Sequence, residues 1–251
     1  AIVICIAIAW GLYLFVMGNP ANFEGGDNAN HPLPGNYFGM IYKGGVIVPF
    51  LMGMFLMVIV FSIERFFVIS KAAGNGKVDV FVKKVQQFLS SNNVESAISE
   101  CDKQKGSVAA VIKSALLKYK EVELDTVMDT EQKCLAIQKD IEEATALEMP
   151  MLEQNLTVIA TLVSIGTLAG LLGTVVGMIK AFGALATSGA PDQAALANGI
   201  SEALINTATG IGTSTMAIIS YNFFTSKIDS LTYSIDEAGF SIVQTYAATH
   251  K

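Results

Sequence analysis

Glu202 is the residue of this 251-residue chain whose type and position most call for chemistry. No charged residue separates it from Asp192 before it or from Lys227 after it. A helix entered at the turn-like Ser188-Gly189-Ala190-Pro191-Asp192 carries Glu202 about 15 Å along its axis, at about 1.5 Å per residue. In that helix Asn206, Thr209, Thr213 and Ser220 fall within roughly 40° of the Glu202 line. Serines and threonines alone say little, because they often bond the carbonyls of their own helix. A stripe that begins in a carboxylate says more. An ionisable group at membrane depth costs several kcal/mol unless it faces a cavity, a partner or a proton path. The stripe therefore reads as a proton or ion path, with Asn206, Thr209 and Thr213 as possible pore lining; the plainer alternative is a buried hydrogen-bond network.

The same region carries a second pattern. Gly166, Gly170, Gly173 and Gly177 form two small-xxx-small pairs, interspersed with Thr157, Thr161, Ser164, Thr167 and Thr174. Such glycines let helix backbones approach closely in lipid, so they read as helix packing. Lys180 closes the run and reads as a lysine snorkelling to the outer surface.

These residues need a membrane, and composition supplies one. The chain is 52% hydrophobic and only 15% charged, against about a quarter charged in ordinary soluble domains. The apolar residues are clustered: Ala1–Met17, Gly44–Ile63, Leu156–Ile179 and Ala203–Phe224 carry no charge. Each run is near the roughly 20 residues that cross a bilayer, so the fold class expected is all-α, a polytopic membrane protein with four transmembrane helices. The first run begins without an initiator Met and has neither a charged n-region nor a clear cleavage site, so it reads as a truncated but retained helix and not a signal segment.

Basic residues orient the spans. One lysine lies in 18–43 and none in 187–197, whereas Arg65, Lys71, Lys77, Lys83 and Lys84 open a basic-rich 65–155. The positive-inside rule places the two short loops outside and both termini in the cytoplasm. The expected organisation is an extra N-terminal transmembrane helix at 1–17, a periplasmic loop at 18–43 and a transmembrane helix at 44–64. A cytoplasmic helical domain at 65–155 follows, then a transmembrane helix at 156–186, a periplasmic loop at 187–197, a transmembrane helix at 198–225 and a cytoplasmic helix at 226–251. Helical spacing at Val78, Phe81, Val82 and Val85, a cap at Asn92-Asn93 and an opening at Gly106-Ser107 divide the cytoplasmic segment into helices. From Leu124 the pattern continues with few breakers, and Pro150 predicts a kink. Ile228, Leu231, Ile235, Ile242 and Tyr246 keep helical spacing beyond the last span, so spans three and four are expected to extend as long cytoplasmic helices.

Other chemistries find little support. Cys5, Cys101 and Cys134 form no CxxC and read as small buried groups. His31 and His250 belong to no cluster with metal spacing. No nucleophile–base pair or phosphate loop is present, so no enzyme activity and no cofactor are expected. The formal net charge of −6 speaks against nucleic acid as a partner. A secondary transporter would carry repeated halves, and none is visible. A passive scaffold would need the glycines but not Glu202.

The run GLLGTVVGMIKAF from Gly170 to Phe182, followed by GISEALINTATG from Gly199 to Gly210 and by Tyr221-Asn222, resembles the MotA/TolQ/ExbB proton-channel family, most of all its ExbB-like branch. The resemblance implies a homopentamer around a central pore in the bacterial inner membrane, holding an ExbD/TolR-type single-span subunit whose helix carries a protonatable Asp. It implies protons as the coupling ion and a TonB-type energy transducer as the protein energised, with TolQ-like envelope maintenance or a motility stator as alternatives. Position by position, Glu202 matches the family's pore carboxylate, and Thr174 and Thr207 its two pore threonines. The chain departs where the family often has proline, carrying Thr167 and Met216 there, and the helix at 1–17 is additional to the usual three spans.

The charge asymmetry carries a direct test. In a background without native cysteines, a cysteine at Asn28 should react with an impermeant maleimide added outside intact cells and one at Lys103 should not. The opposite pattern overturns the orientation.

Overall fold

The computed structural model describes residues 2–187 and 193–250, so the Ser188–Asp192 turn lies outside the described residues. Its α-helices are α1 (Ile2–Gly11), α2 (Tyr37–Tyr42), α3 (Ile47–Ala73), α4 (Val78–Ser90), α5 (Val94–Gln104), α6 (Gly106–Glu123), α7 (Thr130–Glu153), α8 (Leu156–Thr187) and α9 (Gln193–Thr249). Among the described residues no strand forms beyond one isolated bridge between Phe23 and Pro32. The all-α expectation is met. The chain divides into two units, the first from 1–63 and 157–222, the second from 64–156 and 223–251.

In the first unit, α3 and α8 each hold a stretch long and apolar enough to cross a membrane, and Ile2–Met17 is a shorter apolar helix. The fourth apolar run lies in α9, where Glu202, Asn206 and a series of hydroxyls dilute the apolar residues. The N-terminal helix, which ends in a π-helical turn at Leu12–Met17, is integral to this unit. Gly53 of α3 leaves room for Ile6 and Ala9. Tyr13 stacks on Tyr42, and its hydroxyl donates to the Tyr42 carbonyl at 2.9 Å. Tyr13, Met17 and Val48 are buried together, with Ile205 of α9 packed against them. Asn22 ties the following loop back by donating to the carbonyls of Val16 and Met17.

The second unit packs α4 on α5, α5 on α6 and α6 on α7. Asn93 caps α5 by accepting from the Ser96 N–H. Ile228, Leu231, Ile235, Ile242 and Tyr246 of α9 are all buried, as their spacing predicts. The α9 end is fastened by Thr130 Oγ1 donating to the His250 carbonyl at 2.8 Å. Burial pushes the Cys101 thiol up to about 12 and also raises Cys134, where Glu131 adds to it.

Two breaks differ from the sequence expectation. Helix does not run on from Leu124: α6 stops at Glu123, and Asp125 accepts from the N–H groups of Val127 and Met128. Asp129 and Gln132 then form a capping box that starts α7. Pro150 lies inside α7, and the helix ends beyond it at Glu153, before Asn155 at φ 65°. That end has a partner distant in sequence. Arg65 is 1% exposed and donates through Nη1 to the carbonyls of Met151 and Leu152 at 3.1 and 3.2 Å. Its other donors hold Glu64, with Nε to Oε2 at 2.6 Å and Nη2 to Oε1. Asn155 Nδ2 donates to the same carboxylate at 3.3 Å.

Arg65 thus supplies the donors that the last turn of α7 lacks. Arg65→Met keeps apolar bulk and removes them, so it should destabilise the second unit by about 2–3 kcal/mol. Amide exchange should accelerate over 150–156 while α5 stays protected. Unchanged exchange there would show that Arg65 does not hold this end.

Candidate functional site

Two helix backbones touch only where no Cβ stands between them. A Cβ added to Gly177 would lie 2.9 Å from the Ala203 nitrogen, one on Gly170 3.1 Å from the Gly210 Cα, and one on Gly166 2.7 Å from Ser214 Oγ. One on Gly173 would collide with the Asn206 side chain. All four glycines face α9, which answers with Gly199 against Ala181 and Gly210 against Gly166.

That contact fixes the antiparallel register of α8 and α9, and the register sets polar side chains opposite one another. Thr167 Oγ1 donates to Ser214 Oγ at 2.8 Å. Thr174 and Thr207 are hydrogen-bonded hydroxyl to hydroxyl. Lys180 Nζ donates to Glu202 Oε1 at 2.6 Å. On α8 successive rungs are about 10 Å apart along the axis, two helical turns. Thr167, one of the departures from the family pattern, therefore contributes a bond between helices where proline could contribute none.

Glu202 is largely withdrawn, its side chain 13% exposed against 54% for Lys180. A third element closes on it from the turn before α3. Gly45 has φ +78°, and a Cβ there would run into Glu202 Oε1. The neighbouring Gly44 carbonyl accepts from Asn206 Nδ2 at 2.9 Å. Asn206 is wholly buried, and its Oδ1 has no partner among the described residues.

The stripe read from the sequence thus divides. Glu202 and Asn206 reach other elements, whereas Thr209 Oγ1 donates to the Ile205 carbonyl and Thr213 Oγ1 to the Thr209 carbonyl of their own helix. Asn206 and Thr213 are enclosed within the chain, 0% exposed, and Thr209 is half-buried. Thr207 lies off the stripe and reaches Thr174 instead. Two participants escaped the sequence reading. Gly45 was signalled by a Gly-Gly pair before an apolar run, a turn marker. Lys180 does not extend away from the helix pair as a snorkelling lysine would, and its ammonium turns to the carboxylate. No group of His, Cys, Asp and Glu among the described residues could hold a metal ion.

Gly45 meets two demands, a left-handed backbone and an absent side chain. Gly26 has φ +72° with open space around it, so it shares only the first. Gly26→Ala should cost about 1–2 kcal/mol from backbone strain. Gly45→Ala should lower the melting midpoint further, because the carboxylate must also move. Equal losses would show that the turn does not press on Glu202.

Comparison with known proteins places the chain in a family. A family described as the MotA/TolQ/ExbB proton channel family matches residues 103–237. A putative biopolymer transport protein ExbB-like 3 of Synechocystis is 25% identical over 185 residues, 73% of this chain and 82% of that protein. The Tol-Pal system protein TolQ of Pseudomonas aeruginosa is 35% identical over 118 residues, 47% of this chain and 48% of its own. The biopolymer transport protein ExbB of Neisseria meningitidis serogroup B is 27% identical over 198 residues, 75% of this chain and 88% of that protein. The family match takes in more than half of the chain, from the end of α5 through α8 and the glycine-packed part of α9, and so this chain belongs to the MotA/TolQ/ExbB proton channel family.

Proposed function

We propose that this chain is the proton-conducting subunit of an inner-membrane motor that uses the proton-motive force to energise a TonB-type protein for outer-membrane transport. The observation that carries the reading is Glu202. It is a withdrawn carboxylate in an otherwise uncharged stretch of helix, held at the α8–α9 contact one rung along from the hydrogen-bonded hydroxyls of Thr174 and Thr207. Such a group is retained in an apolar helix at a cost, and proton exchange is the use that explains its retention. Protons are then the coupling ion, Glu202 the residue that binds and releases them, and Thr174 and Thr207 the hydroxyls that relay hydrogen bonds or order water beside it.

The assembly follows the family. Leu168, Leu171, Leu172, Val175 and Ile179 of α8, with Leu204, Ile211 and Ile219 of α9, are exposed in the single chain. A surface that apolar needs lipid or neighbouring protein. Five copies around an ExbD/TolR-type helix would supply both, with the periphery facing lipid. The borders of the first unit, near residues 63, 157 and 222, lie within a few residues of the expected membrane boundaries. That agreement supports the expected ends of three spans, while four spans with both termini and the second unit in the cytoplasm rest on the apolar runs and the Lys/Arg asymmetry. A TolQ-like role in envelope maintenance is the alternative with its own support, since the Pseudomonas TolQ is 35% identical over the aligned region.

Glu202→Gln keeps volume and hydrogen bonding but removes the titratable proton. It should leave the assembly and partner binding intact and reduce energised uptake in cells to background. Thr174→Val and Thr207→Val should reduce it roughly two- to tenfold, the equivalent of about 0.5–1.5 kcal/mol for a lost hydroxyl bond that water partly replaces. Normal coupling in a correctly assembled Glu202→Gln protein would leave Glu202 a structural residue and end the relay.

A further inference from the structure

A lysine at the end of an apolar helix ordinarily extends its ammonium into water along the shortest route. Lys180 does not. Its Nζ turns to Glu202 Oε1 at 2.6 Å, across the α8–α9 contact, although its side chain is 54% exposed in the single chain and is not confined to that direction. The carboxylate it meets is 13% exposed, and the Gly45 turn closes its other side. Among the described residues Lys180 is the recorded hydrogen-bonding and ion-pairing partner of Glu202. A further titratable group within electrostatic reach, the Tyr13 phenol, donates its own proton to the Tyr42 carbonyl.

We propose that Lys180 is a positioning residue for Glu202, a counter-ion built into the protomer that holds the carboxylate ionised and releases it only when a proton takes the ammonium's place. The inference rests on the reading of Glu202 as the relay carboxylate. Its physical basis is the inequality of the two partners. A withdrawn carboxylate that loses its cation is left as an uncompensated charge, and it relieves that state by binding a proton. A half-exposed ammonium that loses its carboxylate keeps a flexible stem and three rotatable donors with which to reach water or another acceptor. Opening the pair therefore costs Lys180 little and changes the state of Glu202. The step balances simply: one proton adds to a carboxylate oxygen, the ionic contact is lost, and Lys180 keeps all three of its protons. Loading Glu202 and freeing Lys180 are then one event, and an anion presented to Lys180 by a partner helix would favour both.

Dicyclohexylcarbodiimide tests this, because it adds to protonated carboxyl groups in apolar surroundings. The assembled complex in mild detergent is treated at neutral pH, and modification of the peptide containing Glu202 is followed by mass spectrometry. Lys180→Met should be modified roughly tenfold faster than wild type or more, and Lys180→Arg, which restores the charge, should match wild type. On acidification the rates should converge, since every Glu202 is then protonated. Equal rates at neutral pH overturn the proposal. So does an excess in Lys180→Met that persists at low pH, because that reports access and not charge. Should Lys180→Met fail to assemble, Lys180→Gln carries the same comparison. The two readings fail separately: normal coupling in Glu202→Gln ends the relay whatever the labelling gives, whereas equal labelling ends the counter-ion with the relay untouched.

Discussion

The backbone approach of α8 to α9 is the constraint on which the site depends. Gly166, Gly170, Gly173 and Gly177 remove the Cβ atoms from one side, and Gly199 and Gly210 remove them from the other. With the axes this close, hydroxyls as short as threonine's can bridge the gap, as Thr174 and Thr207 do and as Thr167 and Ser214 do. A larger residue at Gly173 would displace Asn206, whose amide anchors α9 to the Gly44 carbonyl. The polar groups therefore do not bring the helices together. The glycines do, and the polar groups are what the resulting register allows to meet. This is the order expected in lipid, where close packing and hydrogen bonds take over from hydrophobic drive.

How much of this was legible in the sequence follows from which forces are local. The α5 cap at Asn93 and the buried face Ile228–Tyr246 could be read directly, because a cap and a 3.6-residue period involve neighbours along one helix. The break after Glu123 was also written locally, in Asp125 and in the Asp129–Gln132 box, but helix-forming neighbours obscured it. The end of α7 was not local. Pro150 alone does not stop the helix, and the carbonyls of Met151 and Leu152 are satisfied by Arg65, some 86 residues earlier in the chain.

The site divides along the same line. Glu202 stands out because isolation from other charges is a property of sequence. Its environment does not, because pairing with Lys180 depends on the α8–α9 register, and crowding by Gly45 depends on a turn more than 150 residues away. The stripe through Asn206, Thr209 and Thr213 was correctly periodic, yet period alone could not say which members bridge elements and which bond their own helix. Side-chain length and the width of the gap decide that. Thr209 and Thr213 satisfy themselves on the preceding turn, whereas Asn206 is long enough to cross to Gly44.

Arg65 and Lys180 show two ways of handling a cation beside a carboxylate. Arg65 is almost wholly buried, and its Nε, Nη1 and Nη2 all have acceptors, two of them backbone carbonyls that cannot leave. Opening that cluster would strand several groups at once, so it suits a fixed joint between helices. Among the described residues Lys180 pairs with Glu202 alone, from a half-exposed side chain. Opening it strands only Glu202, and a proton can satisfy Glu202 as well as an ammonium can. A charge pair works as a switch only when one partner has somewhere else to go and the other has a second way to be neutralised. Lys180 and Glu202 meet both conditions, whereas Arg65 and Glu64 fail the first.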